Sequence, residues 1–141
     1  MRPIRLLYAL VACAALVAAS GCRRPTDPDP LVGTWLATTF QVAPTGQPPV
    51  NMLAAGATLG LNVANNFVVA GTLIIPATVT GTMTFTADLA GTATRTDNTV
   101  RFTQNADSFV RDLTFLLVEN RLEARSQVLG TNTYTVILTR Q

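Results

Sequence analysis

Threonine at every second position is the feature that most restricts how this chain folds. Over residues 77–87 it occupies positions 78, 80, 82, 84 and 86, with Val79, Gly81, Met83, Phe85 and Ala87 between. A period of two puts these sets on opposite faces of an extended strand. β-Branched residues also lose rotamer freedom in helices and pack well on pleated surfaces. All 22 threonines follow residue 22, and no window after residue 31 holds a capped 3.6-residue repeat. The domain is expected to be all-β.

The remaining strands parse from alternation and turn residues. A first strand is expected over 32–42, and after a proline-bearing loop at 44–49 a second over 58–64, with Leu59, Leu61 and Val63 on one face. Asn65-Asn66 turns into 67–75, and Pro76 breaks that run before the threonine-alternating strand. Residues 88–91 turn into 92–96, Asp97-Asn98 into 99–104, and a longer link at 105–108 precedes a strand over 109–118. Over 121–128, Leu122, Ala124, Ser126 and Val128 oppose Arg121, Glu123, Arg125 and Gln127. The last strand, 133–140, puts Tyr134, Val136 and Leu138 on one face. The total is eight strands if 92–96 merges with a neighbour and nine if it does not.

Tight links make sequential strands pair as a meander. Eight strands suffice to close a small antiparallel up-and-down barrel, and closure removes the edges. An immunoglobulin-type sandwich fits less well, because it wants a Trp in a mid-sequence strand and longer crossing links. A membrane-spanning barrel needs apolar outer bands and aromatic girdles, whereas the outward threonines here are wettable.

The first 30 residues read differently. Arg2 and Arg5 precede 14 apolar residues, 6–19, which contain no charge. A bilayer-crossing helix needs about 20 such residues, so the segment reads as the h-region of a signal peptide. It closes on Ala19-Ser20-Gly21-Cys22. This box resembles the lipobox of bacterial lipoproteins, with Ala19 where leucine is usual. The resemblance implies cleavage after residue 21, acyl chains on Cys22 and anchoring in a membrane. More than one chain makes a stable anchor, since each buried CH₂ contributes about 0.8 kcal/mol. Arg23 stands where aspartate would favour inner-membrane retention, so the resemblance implies the outer membrane, facing the periplasm. The expected organisation is a signal peptide over 1–21, a lipidated cysteine and proline-rich tether over 22–30, and a barrel domain over 31–141. The tether, RRPTDPDP after Cys22, is expected to have no fold of its own.

The domain opens Leu31-Val32-Gly33-Thr34-Trp35. Gly-x-Trp at the start of a first strand resembles the lipocalin signature, and the likeness is nearest to the small lipocalin-like domains of bacterial lipoproteins. In that family the Trp closes the base of the barrel and an arginine on the last strand packs across its ring. The resemblance therefore implies Gly33, Trp35 and Arg140 as closure residues. An antiparallel barrel sets the start of its first strand beside the end of its last, which places Arg140 near Trp35. Thr96-Asp97-Asn98 only half matches the family's Thr-Asp-Tyr loop, and the helix that follows the family's barrel is not expected here.

Chemistry is sparse. With no histidine there is no imidazole base or His-ligated metal, and two cysteines cannot supply a zinc or iron–sulfur site. Removing Arg2 and Arg5 from the ten arginines leaves eight against eight acids, which gives no footprint for nucleic acid. Neither a nucleophile elbow nor a phosphate-binding glycine loop is present. No catalytic residue, cofactor or metal is expected. Two non-enzymatic functions stay open. In one, the barrel holds a small apolar ligand, lined by Met83, Phe85, Phe102, Phe115, Leu117 and Tyr134, with Leu113, Leu122 and Val136 beside them. In the other, the interior is filled and the outer face or rim meets an envelope protein, as in small β-barrel lipoproteins that inhibit lysozyme. Eight strands permit either interior.

Overall fold

The computed structural model describes residues 27–141. The expected signal peptide, Cys22 and the first part of the expected tether lie outside them. Ten strands and two single helical turns follow in order: β1 (Gly33–Pro44), β2 (Val50–Asn51), β3 (Thr58–Val63), β4 (Val68–Ile75), α1 (Ala77–Thr80), β5 (Phe85–Asp88), β6 (Gly91–Thr96), β7 (Thr99–Gln104), α2 (Phe109–Asp112), β8 (Thr114–Val118), β9 (Arg121–Leu129) and β10 (Asn132–Arg140).

Eight of these positions make a closed antiparallel meander. The path runs β1-β3-β4-β6-β7-β8-β9-β10 and returns to β1. β5 runs into β6 and pairs the later half of β4, so the two together form one wall strand. β2 is a flap of two residues on β1. The piece at 92–96 thus merges with its neighbour, and the barrel has eight walls.

Inward alternation explains the closure. Leu59, Leu61 and Val63 face in from β3, opposite Leu73, Gly71 and Val69 of β4. Val100, Phe102 and Gln104 do so from β7, and Phe115 and Leu117 from β8. Two β-bulges change the phase. In β1 the register shifts between Ala37 and Thr39, so the inward set is Trp35 and Ala37, then Phe40 and Val42. In β9 the shift falls opposite Tyr134 and Val136, at Ser126, whose φ is +48°. A bulge moves the following residues to the other face. The strict alternation expected over 121–128 therefore holds only through Ala124. Beyond the bulge Gln127 turns in and Val128 is 69% exposed. Gln127 completes the β8 side of the seam with its amide: Oε1 accepts from the Thr114 N–H at 2.9 Å, and Nε2 donates to the Thr114 C=O.

Two expected strands are shorter than their sequences suggested. Residues 77–84 keep the threonine alternation but form no strand. Register sets Ile75 opposite Phe85, which throws 76–84 off the end of the barrel. Pro76 has no N–H for a ladder, and the chain instead makes one turn closed by the Gly81 N–H on the Ala77 C=O at 2.8 Å. Residues 109–112 likewise form one turn, closed by the Leu113 N–H on the Phe109 C=O. That turn folds Val110 and Leu113 into the core, a burial that a strand leaving the barrel would have lost.

Candidate functional site

The barrel has two unlike ends. At the base, where β1 begins and β10 ends, Trp35 is fully buried and its indole Nε1 donates to the Leu31 C=O at 2.9 Å. Arg140 is its cross-strand partner in register. Gly33 has a φ of +143°, and a Cβ there would sit 2.9 Å from Arg140 Nε. Only glycine accepts both that backbone and that approach. The Gly-x-Trp spacing thus lets an arginine of the last strand lie on the first.

The tether is not unstructured at its end. Asp29 accepts the Leu31 N–H at 2.8 Å, and both its carboxylate oxygens accept from Arg95 Nη1 at 2.8 Å. Its C=O accepts the Val32 N–H, making a turn around Pro30. Charge-assisted bonds of this kind are stronger than neutral ones, so the packed structure includes Asp29, two residues before residue 31. Neither Asp29 nor Arg95 stood out in the sequence, because 66 positions separate them.

Side chains occupy the interior from base to mouth. Leu31 and Trp35 close the base, and Phe102 of β7 meets Phe115 of the neighbouring β8 edge to face at 5.5 Å. Toward the mouth Phe109 lies between Phe40, at 5.3 Å, and Tyr134, stacked at 4.7 Å. Met52, Leu53 and Val79 of the end loops pack on the same cluster. Of the expected ligand lining, Phe102, Phe115, Leu117 and Tyr134 come together here, as do Leu113, Leu122 and Val136, and they pack on one another. Met83 and Phe85 do not join them. Met83 is 73% exposed in the 76–84 loop, which lies off the end of the wall, and Phe85, the first residue of β5, is 39% exposed at the mouth end of that strand.

Recesses mark the outer surface of the described residues. One of about 310 Å³ at the base lies between Pro30, Arg95, Asn98 and the Leu117–Glu119 turn. A shallow apolar trough of about 340 Å³ runs over Leu36, Gly60, Ala70 and Gly71 on the outer face of β1, β3 and β4. Another, of about 500 Å³, opens at the mouth between residues 85–90 and residues 105–107. There the wall splits. β6 pairs β7 only as far as Gly91 opposite Gln104, where a Cβ on Gly91 would lie 1.9 Å from the Thr103 C=O. Beyond that tight crossing β5 stays with β4 and the chain after Gln104 departs toward α2.

Gln104 sits at the fork. It is buried, its Oε1 accepts from Ser108 Oγ at 3.2 Å, and its Nε2 has no partner among the described residues. Some charged side chains pair on the outside. Glu123 on β9 bonds Arg125 at 2.8 Å and Arg121 at 3.3 Å. The Arg125 hydrogen bond holds the Glu123 carboxyl below its ordinary range, helped by both arginine charges and opposed by desolvation; the same contact raises Arg125. Among the described residues no three acidic or thiol groups gather as a metal site. No family model, curated protein or solved structure matches the chain.

Proposed function

We propose that this chain is a non-enzymatic, lipid-anchored protein of the bacterial envelope whose barrel works as a solid scaffold, meeting other proteins through its surface. The observation that carries the scaffold reading is the occupied interior: the aromatic and aliphatic side chains that would line a ligand cavity pack on one another. The recesses lie outside it. The anchor rests on the sequence: a basic n-region, an apolar h-region and a lipobox ending at Cys22. Acyl chains there would hold the domain at the outer membrane, in the periplasm.

Two measurements test the two halves. Radiolabelled palmitate should label the wild type and not Cys22→Ser; an unlabelled wild type released from membranes overturns the anchor. Across several probes that brighten in apolar surroundings, the folded protein should show no saturable uptake. Stoichiometric uptake that a charged substitution at Phe102 or Phe115 abolishes would return the barrel to the ligand-binding reading.

A further inference from the structure

The split in the barrel wall leaves a strand edge without a neighbour among the described residues. The Leu89 N–H bonds the Gly71 C=O at 2.9 Å, which fixes the phase of the β4–β5 ladder. With Leu73 opposite Ala87 and Ile75 opposite Phe85, the N–H and C=O of residues 85, 87 and 89 point at β4. Those of Thr86 and Asp88 point the other way, into the cleft. β7 has ended at Gln104 and offers them nothing. Farther along, the Ala90 N–H is taken by Asp88 Oδ1 at 3.0 Å, so the open ladder comprises two residues, Thr86 and Asp88. An edge of this kind is a template for one more strand.

Building on the surface-contact reading above, we propose that the cleft between β5 and residues 105–107 takes an extended, cationic peptide segment of a partner protein, which adds as a strand to Thr86 and Asp88. The opposite wall, Asn105-Ala106-Asp107, stands across the cleft from this edge. A lone extended segment fits such a recess, whereas the edge of a second barrel would bring its own neighbouring strand against that wall. Charge selects the sequence. Asp88 and Asp107 line the cleft. Arg111 pairs with both Asp107 and Asp112, so two carboxylates share one guanidinium, while Asp88 has no ion-pair partner among the described residues. Two copies would set these carboxylates against each other, and a cationic strand would neutralise them. Phe85, beside the acids, offers an apolar surface to alternate side chains of the incoming strand.

Binding is tested on the full-length chain in non-ionic detergent with a synthetic eight-residue peptide alternating valine and arginine. Two controls carry glutamate for arginine, or N-methyl groups on alternate amides. The arginine peptide should bind saturably and slow amide exchange at Thr86 and Asp88 at least tenfold, with Ala87 unchanged. The glutamate peptide should bind at least tenfold more weakly and the N-methylated one not at all. Thr86→Pro removes the donor that faces the cleft and leaves the β4 ladder intact, so it should abolish binding while the melting temperature holds. Should that variant fail to fold, Asp88→Asn with Asp107→Asn should weaken the arginine peptide tenfold. Absence of saturable binding, equal binding of the glutamate peptide, or binding retained by folded Thr86→Pro overturns the proposal. Self-association abolished by Thr86→Pro also overturns it, in favour of a second copy. Failure of the peptide without apolar-probe uptake removes the cleft alone, whereas probe uptake removes the solid scaffold.

Discussion

Arg140 stands directly across the β1–β10 seam from Trp35, and its guanidinium stem lies where a side chain on Gly33 would otherwise be. The last strand is thereby keyed to the first at the point where the barrel closes. Burial of the whole indole, with its N–H bonded to Leu31, ties the incoming chain to the same point.

Trp35→Ala should cost about 3–5 kcal/mol, the range for truncating a fully buried aromatic, and Gly33→Ala should destabilise through both backbone strain and the Arg140 clash. Removing the clash in Gly33→Ala/Arg140→Ala should recover only part of that loss, since the positive φ persists. Denaturant midpoints decide the matter; a Trp35→Ala protein melting within a few degrees of wild type would mean the indole is not a closure residue.

Ser126 carries the β9 bulge in left-handed backbone, a conformation costing about 1–3 kcal/mol outside glycine. Its N–H is held by Thr135 Oγ1 at 3.1 Å. Ser126→Gly should match or exceed wild-type stability, while Ser126→Val, with a branched Cβ, should lose about 1–3 kcal/mol. Equal melting of the valine and glycine variants would show that the bulge lies elsewhere.

The buried amide of Gln104 has one bond, through Oε1, and an NH2 group with no partner among the described residues. Ser108→Ala takes away the bond and strands the carbonyl as well, and should destabilise by about 1–3 kcal/mol. Gln104→Met with Ser108→Ala deletes every polar atom of the pair and should fold at least as stably as Ser108→Ala, returning toward wild type. A double variant less stable than the single one would place a partner on Nε2.

Acid should erase one surface network. Because its partners depress the folded pKa of Glu123, the carboxylate contributes stability that is complete above its unfolded value, near 4.5, and disappears as pH falls through the lower folded one. The melting difference between wild type and Glu123→Gln should therefore be small and constant near neutrality and vanish in acid. A difference that widened on acidification would contradict the Arg121–Glu123–Arg125 arrangement.

The barrel was legible because inward and outward residues differ in kind: Leu59, Leu61 and Val63 leave no doubt about β3, and short polar turns such as Asp97-Asn98 dictate neighbours. The same rule misled at 77–84, where alternation was present without a partner strand to pair with. It misled again past Ser126, where a single residue in an unusual conformation changed the face of everything after it. Pattern is local, and both failures come from pairing. The Asp29–Arg95 contact and the split at Gly91 were invisible for a related reason, since each joins segments whose proximity exists only once the barrel has closed. The Trp35–Arg140 pairing was readable in advance because closure of a meander brings its two termini together whatever lies between.

Asp29 gives the molecule a mechanical polarity. Asp29 is held at the base, while the wall opens at the mouth. Tension between a hold on the preceding chain and a load at the cleft would run along the barrel axis. It would meet the paired oxygens on Arg95 first. Behind them β1 is hydrogen-bonded on both sides, to β3 and β10, and a pull along its length shears many bonds at once instead of peeling them singly. Under such a pull, the end that starts the fold is also the end built to resist.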